Sequence, residues 1–210
     1  MNKNFGLVIV ICIIAFYIIL NNTIFIKRFF PSISSELMTS KIDGEKYYVQ
    51  KNFQDKQLAV DTLAKLHILA ISLLYHMKKY YPTSPLTIRL LERYDPNKKS
   101  ENHPINADNS TSYTLNKESF SFCIRNKKTL KIHNINDLSF VLLHEITHQS
   151  VDVTGHPSYF WSAFKTILQI GAKAKLYIPI DYSRYPFIYC GLPVKYNPLF
   201  DPNLPTIHHT

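Results

Sequence analysis

The stretch "SFVLLHEITHQSVDVTGHPSYFW", Ser139 to Trp161, decides how this chain is read. It opens on an apolar run, carries His144, Glu145 and His148 as an H-E-x-x-H pattern, and reaches His156 between Gly155 and Pro157. In a helix His144 and His148 lie one turn apart on one face, so both imidazoles can reach a single ion at about 2.0–2.1 Å. Glu145 is adjacent and angled off that line, placed to accept a proton from water that the ion polarises. H-E-x-x-H also arises by chance in long helices. The apolar "FVLL" before it and the histidine at a turn after it favour a metal site, because a buried His-Glu-His set without an ion is costly to desolvate.

Two ligands need a third. His156 is the preferred one: "VDVTG" is a β-branched, glycine-ended turn, so the chain reverses and delivers a histidine before a new helix. Asp152, four residues after His148, and the more distant Asp181 are the alternatives. Working outward, Asn136 reads as an N-cap and Asp137 as a first-turn acid, which starts the first helix and carries it to about Ser150. Pro157 opens a second helix to about Lys173, with Phe160, Phe164, Ile167, Leu168 and Gly171 at helical spacing. Phe160 and Trp161 are expected to pack behind the histidine loop and fix His156.

Upstream, Ala59, Leu63, Leu66, Ala70, Leu73 and Met77 recur at steps of four and three, which predicts an amphipathic helix over 57–79, stopped by Pro82. His67 and His76 read as core-edge histidines of that helix. "SPLTIRLLERYDP" predicts a short helix, and 97–113 a polar loop carrying an N-glycosylation pattern at Asn109. "FSFCI" and "TLKI" alternate and predict two antiparallel strands. The Tyr- and Pro-rich remainder reads as an irregular layer wrapped over the site. The fold class expected is α+β, with helices beside a small antiparallel or mixed sheet.

The other end of the chain adds an anchor. "FGLVIVICIIAFYIIL" is uncharged, and residues 5–26 extend over about 33 Å as a helix, the thickness of a bilayer core. No small-x-small cleavage site follows, so an uncleaved transmembrane helix is expected in preference to a signal peptide or a monotopic helix. Lys3 on one side and Lys27 with Arg28 on the other leave its orientation open. The expected organisation is an anchor at 5–26, a juxtamembrane stalk at 27–52, one domain at 53–200 and a flexible tail at 201–210. Cys12 falls in the anchor, which leaves Cys123 and Cys190; they could pair but need not, and Cys190 reads as a core residue in preference to a fourth ligand. The formal net charge of +9 fits anionic membrane or nucleic acid as a partner, although scattered pairs such as Lys98-Lys99 read more simply as a solubilising surface.

The pattern "LLHEITHQS...GHPSYFW" resembles zinc metallopeptidases of the WLM type and their SprT-like relatives. "RLLERYDPNKKSEN", "SYTLNKESFSFCIRNK", "FKTILQIGAKAKLY" and "DYSRYPFIYCG" extend the resemblance across about residues 55–192, to WLM-like proteins of large DNA viruses and some protists. It implies a zincin-like fold, Zn2+ held by His144, His148 and His156, and Glu145 as general base. Within that fold the strand at 120–125 would be the edge that pairs with an extended peptide, and Tyr177, Tyr182 or Tyr185 would stabilise the transition state. The chain departs from the family in the spacing to its third histidine, in having no separate DNA-binding module, and in its anchor. Zinc proteolysis is therefore the part that carries over. A membrane-tethered peptidase acting on protein or peptide substrate, in a host internal or virion membrane, is the expected function. A membrane-anchored structural or interaction protein with structural zinc is its rival, and Glu145 weighs against that rival because structural zinc needs no base.

Overall fold

The computed structural model describes residues 35–94, 99–101, 113–115 and 119–207. The expected anchor at 5–26 lies outside the described residues, as do residues 27–34, Asn109 and residues 208–210.

The expected stalk at 27–52 is corrected from residue 35 onward. Strand β1 (Ser35–Thr39) pairs antiparallel with β2 (Lys46–Gln50), in register from Ser35 opposite Gln50 to Thr39 opposite Lys46. The reason is period-two burial in "KYYVQ": Tyr47 and Val49 face the core while Lys46 and Tyr48 face out. Gly44, at φ +77°, supplies the left-handed turn between the strands.

Helix α1 (Lys56–Tyr80) follows and buries Ala59, Leu63, Leu66, Ala70, Leu73 and Met77, the stripe its periodicity predicts. It is the only helix among the described residues long and apolar enough to cross a bilayer. That stripe is packed inside the protein, which makes α1 a core helix. Helix α2 (Pro85–Arg93) starts on a proline whose missing N–H costs nothing there, and buries Leu86 and Leu90.

The two helices form a crossover, because β3 (Lys99–Glu101) then pairs parallel with β2. Next come β4 (Tyr113–Leu115) and β5 (Ser119–Phe122), and the sheet order is β1-β2-β3-β5-β4. β5 runs parallel to β3 and antiparallel to β4. The fold is thus α+β with a mixed sheet. β5 is an interior strand and not the expected edge, which β4 occupies; the expected pairing of "FSFCI" with "TLKI" reduces to one bridge between Arg125 and Ile132.

The loop expected to be polar and featureless contributes a buried acid. Glu101 accepts from Arg125 Nε at 2.6 Å and from the Gln50 backbone N–H at 2.8 Å. Arg125 also donates to Asp55 at 2.8 Å, so one guanidinium ties β3 and the chain after β5 to the entry of α1.

Helix α3 (Ile135–Ser150) and helix α4 (Ser158–Lys173) form the helix-turn-helix that the histidine spacing predicts. The cap of α3 shifts by two residues: Asn134 Oδ1 accepts the Asn136 N–H at 2.8 Å. Asn136 instead clasps the chain beyond α4, donating to Ile178 O at 2.9 Å and accepting from its N–H at 2.8 Å.

The last layer is more regular than expected. β6 (Phe187–Tyr189) and β7 (Leu192–Val194) form an antiparallel hairpin. Cys190 and Gly191, at φ +46° and +90°, make its two-residue turn. Cys190 is disulfide-bonded to Cys123 across a Cα–Cα distance of 6.2 Å. The expected flexible tail is held as far as residue 207. Lys165 Nζ donates to Asp201 O at 2.6 Å and Leu204 O at 2.8 Å, and Thr166 Oγ1 accepts from the Ile207 N–H at 2.9 Å.

Candidate metal centre

Three histidine Nε2 atoms converge where α3 ends and α4 begins. The separations are 3.2 Å for His144 and His148, 3.1 Å for His148 and His156, and 3.0 Å for His156 and His144. Donors at 2.0–2.1 Å from one tetrahedral ion stand about 3.3–3.4 Å from each other, close to this triangle. Hydrogen bonding among the rings cannot explain it. Each Nε2 is either a donor or an acceptor, so at most two of three mutual contacts can be satisfied, whereas one cation satisfies all three. The residues present therefore fit a tetrahedral metal with a fourth position open.

The backbone explains the convergence. His144 and His148 project from successive turns of α3, and Gly155, at φ +67°, reverses the chain so that His156 comes back over them. Arg93 on α2 braces the reversal by donating to Gln149 O at 3.2 Å and to Val151 O at 3.0 Å. Asp152 is not a member of the cluster: it pairs with Arg93 at 2.5 Å and Arg89 at 2.6 Å. The Arg93 hydrogen bond, with the charge of both guanidiniums, holds its carboxyl below the usual range. Asp181 is likewise engaged elsewhere, accepting from Ser183 Oγ at 2.6 Å and from its backbone N–H at 3.1 Å.

Aromatic rings enclose the imidazoles. Phe160 is fully buried, with its ring centroid 4.3 Å from His148, 4.7 Å from His156 and 5.0 Å from His144. Trp161 lies 5.6 Å from the His156 ring, and Phe164 stands perpendicular to His144 at 5.1 Å. Burial, followed by the two neighbouring imidazoles, pushes His144 down to about 3, and burial also lowers His156. Both effects favour the neutral ring, which is the ligating form. Burial raises the Glu145 carboxyl to about 7.

His144, Glu145 and His156 form the floor of a cavity of about 430 Å³. Phe140 and Val141, one turn before His144 and Glu145, line it with Trp161 and Phe164, as do Tyr189, Leu192, Pro193, Val194, Lys195 and Tyr196 from the hairpin and the residues after it. The tyrosines expected to reach a reacting group do not line it. Tyr177 is buried, accepting from Asn197 Nδ2 at 3.0 Å, and Tyr182 donates to Asp137 at 3.3 Å. Tyr185 is 71% exposed. Each is occupied by packing or left in solvent, since the loop at 176–186 is clasped to the first turn of α3 and not to its last.

Tyr189 and Tyr196 are the residues that sequence reasoning missed. The signal was the short alternating run "FIY", a Cys-Gly turn and "LPV", obscured by Pro193, which argues against a strand unless that strand is an edge. Tyr196 donates to Asp201 Oδ2 at 2.8 Å and lies 5.2 Å from the Trp161 ring. Burial, then the Asp201 hydrogen bond, pushes its phenol up to about 12.

The chain is similar to uncharacterized viral proteins. One, from Acanthamoeba polyphaga mimivirus, is 29% identical over 188 residues, covering 84% of this chain and 94% of that protein. Another, from Invertebrate iridescent virus 6, is 38% identical over 68 residues, which is 31% of this chain and 38% of the relative. A third, from Invertebrate iridescent virus 3, is 32% identical over 87 residues, 40% of this chain and 52% of the relative. No protein-family model matches the chain, and no solved structure matches it.

Proposed function

We propose that this protein is a zinc-dependent peptidase of the WLM/SprT-like, zincin kind, with His144, His148 and His156 as metal ligands and Glu145 as general base. The observation that carries the reading is the triangle of Nε2 atoms, 3.0–3.2 Å on a side, with Glu145 beside it on the floor of one cavity. A purely structural site has no use for a buried carboxylate and an open cavity at that point.

Zinc, when bound, supplies a Lewis acid that makes water acidic near neutral pH. His144, His148 and His156 would hold it through their neutral imidazoles. Glu145 takes the proton from the attacking water and delivers it to the departing amine. A carboxyl raised by burial to about 7 suits a group that must both accept and return a proton. Phe160 and Trp161 hold the rings in place, and the apolar walls exclude bulk water. Tyr189 and Tyr196 are the tyrosines that line the cavity, in place of Tyr177, Tyr182 and Tyr185; for Tyr196 to donate to a developing oxyanion its hydroxyl must leave Asp201. The run at 5–26 would anchor the domain to a bilayer, and likeness to viral proteins fits a virion or host internal membrane.

The test is metal content and cleavage of a denatured protein by the full chain in detergent, beside Glu145→Gln, His156→Ala and Asp152→Ala. About one zinc per chain is expected in wild type, Glu145→Gln and Asp152→Ala, with loss in His156→Ala. Cleavage should fall by roughly 10²–10⁴-fold in Glu145→Gln. Stoichiometric zinc with no cleavage by wild type would refute the peptidase and leave a structural or interaction role.

A further inference from the structure

Resting on the peptidase reading, we infer that the β6–β7 hairpin selects the substrate, and that the residue it selects beside the scissile bond is a bulky apolar one. The cavity that Glu145 and His144 line is also lined by Phe140 and Val141, one turn earlier on α3. Leu192 and Val194 of the hairpin complete its apolar lining; among the described residues Glu145 is the acidic side chain that lines the space and Lys195 the basic one. A volume of about 430 Å³ is within the range that encloses a large side chain with adjoining backbone. A basic residue there would meet the like charge of Lys195, a charged residue of either sign would lose hydration against a mostly apolar lining, and a small one would leave that lining unfilled.

Leu192 is the residue on which this turns. It is 50% exposed, so the fold does not depend on burying it, yet it lines the cavity. Two other apolar residues of the lining, Phe140 and Phe164, are buried in the core. The hairpin side of the wall is therefore the side that can change preference without unfolding the protein.

The test uses a set of otherwise identical peptides, carrying Phe, Leu, Ala, Asp or Lys on either side of one cleavable bond, with the full chain in detergent. Phe and Leu should exceed Ala by roughly 10- to 100-fold in kcat/KM at one of the two positions, and Lys, which meets the like charge of Lys195, should be worst. Leu192→Glu should lower the Phe preference and raise that for Lys, with zinc content unchanged. Cleavage that is indifferent to the residue at both positions, or a Leu192→Glu profile identical to wild type, overturns this inference and leaves the peptidase intact. If wild type cleaves no peptide of the set and no denatured protein, the underlying reading fails instead. A Leu192→Ala variant, which cannot bury a charge, guards against misfolding: it should relax the preference in the same direction without favouring Lys.

Discussion

Breaking the Cys123–Cys190 disulfide should loosen one wall of the cavity and leave the metal ligands in place. The bond closes a chain separation of 67 residues. The loop-entropy relation for a cross-link of that length gives about 4 kcal/mol at 25 °C. For a chain of this size that corresponds to a fall in Tm of roughly 8–16 °C. The loss should be concentrated in the hairpin. β6 and β7 pair only with each other among the described strands, and an isolated two-stranded hairpin is marginal in water. Its turn also places Cys190, a residue with a Cβ, at φ +46°, a left-handed conformation that costs about 1–2 kcal/mol. Besides the bond, the hairpin is held by packing of Tyr189, Phe187 and Val194 on the core, with ring contacts of Phe187 to Tyr182 and Tyr189 to His133, and by a Cys190 N–H contact to His133 Nε2 at 3.5 Å.

The assay is thermal unfolding of the full chain in detergent with and without a phosphine reductant, followed by amide hydrogen exchange at 25 °C. Cys123→Ala/Cys190→Ala serves as the reductant-independent form. Exchange should accelerate at 187–196 and stay slow through α3, and metal content should be unchanged because His144, His148 and His156 lie outside the hairpin. A reduced protein that melts within a degree or two of the oxidised one, with equal protection at 187–196, would refute the tether. Loss of metal on reduction would refute the separation between wall and ligands.

Two other substitutions test the supports of the site. Arg93→Met removes the donors to Gln149 O and Val151 O and the partner of Asp152, so metal affinity should fall about tenfold in competition with a chromogenic chelator, while Asp152→Ala changes it less. Arg125→Met leaves Glu101 buried without its cation and should cost about 3–5 kcal/mol in urea unfolding; Glu101→Gln/Arg125→Met should cost less than the sum of the single changes. Strict additivity would show that the pair is not coupled.

Whatever repeats at a helical period was legible. α1, α3 and α4 fall within one or two residues of their expected ends, because apolar stripes and a proline or an asparagine at the boundary are local signals. The histidine triangle was legible for the same reason, since His144 and His148 need only one helix and His156 only one turn. What failed was long-range. Glu101 looked like one acid in a polar loop until Arg125, far along the chain, was seen to bury it. "KYYVQ" alternates over only five residues, too few to mark a strand before its pairing with Ser35–Thr39 is seen. Choosing among 14 tyrosines required knowing which loop crosses the open side of the metal site, and no spacing encodes that. The disulfide turned out to be the informative link: by fixing Cys190 to the chain after β5, it holds Tyr189, Leu192 and Val194 in the cavity wall. The chemistry of the site is thus written in adjacent residues of one helix and the turn after it. The hairpin that lines the cavity comes some forty residues later, and this is why local spacing could bring His144, Glu145, His148 and His156 together while it could not choose the tyrosines.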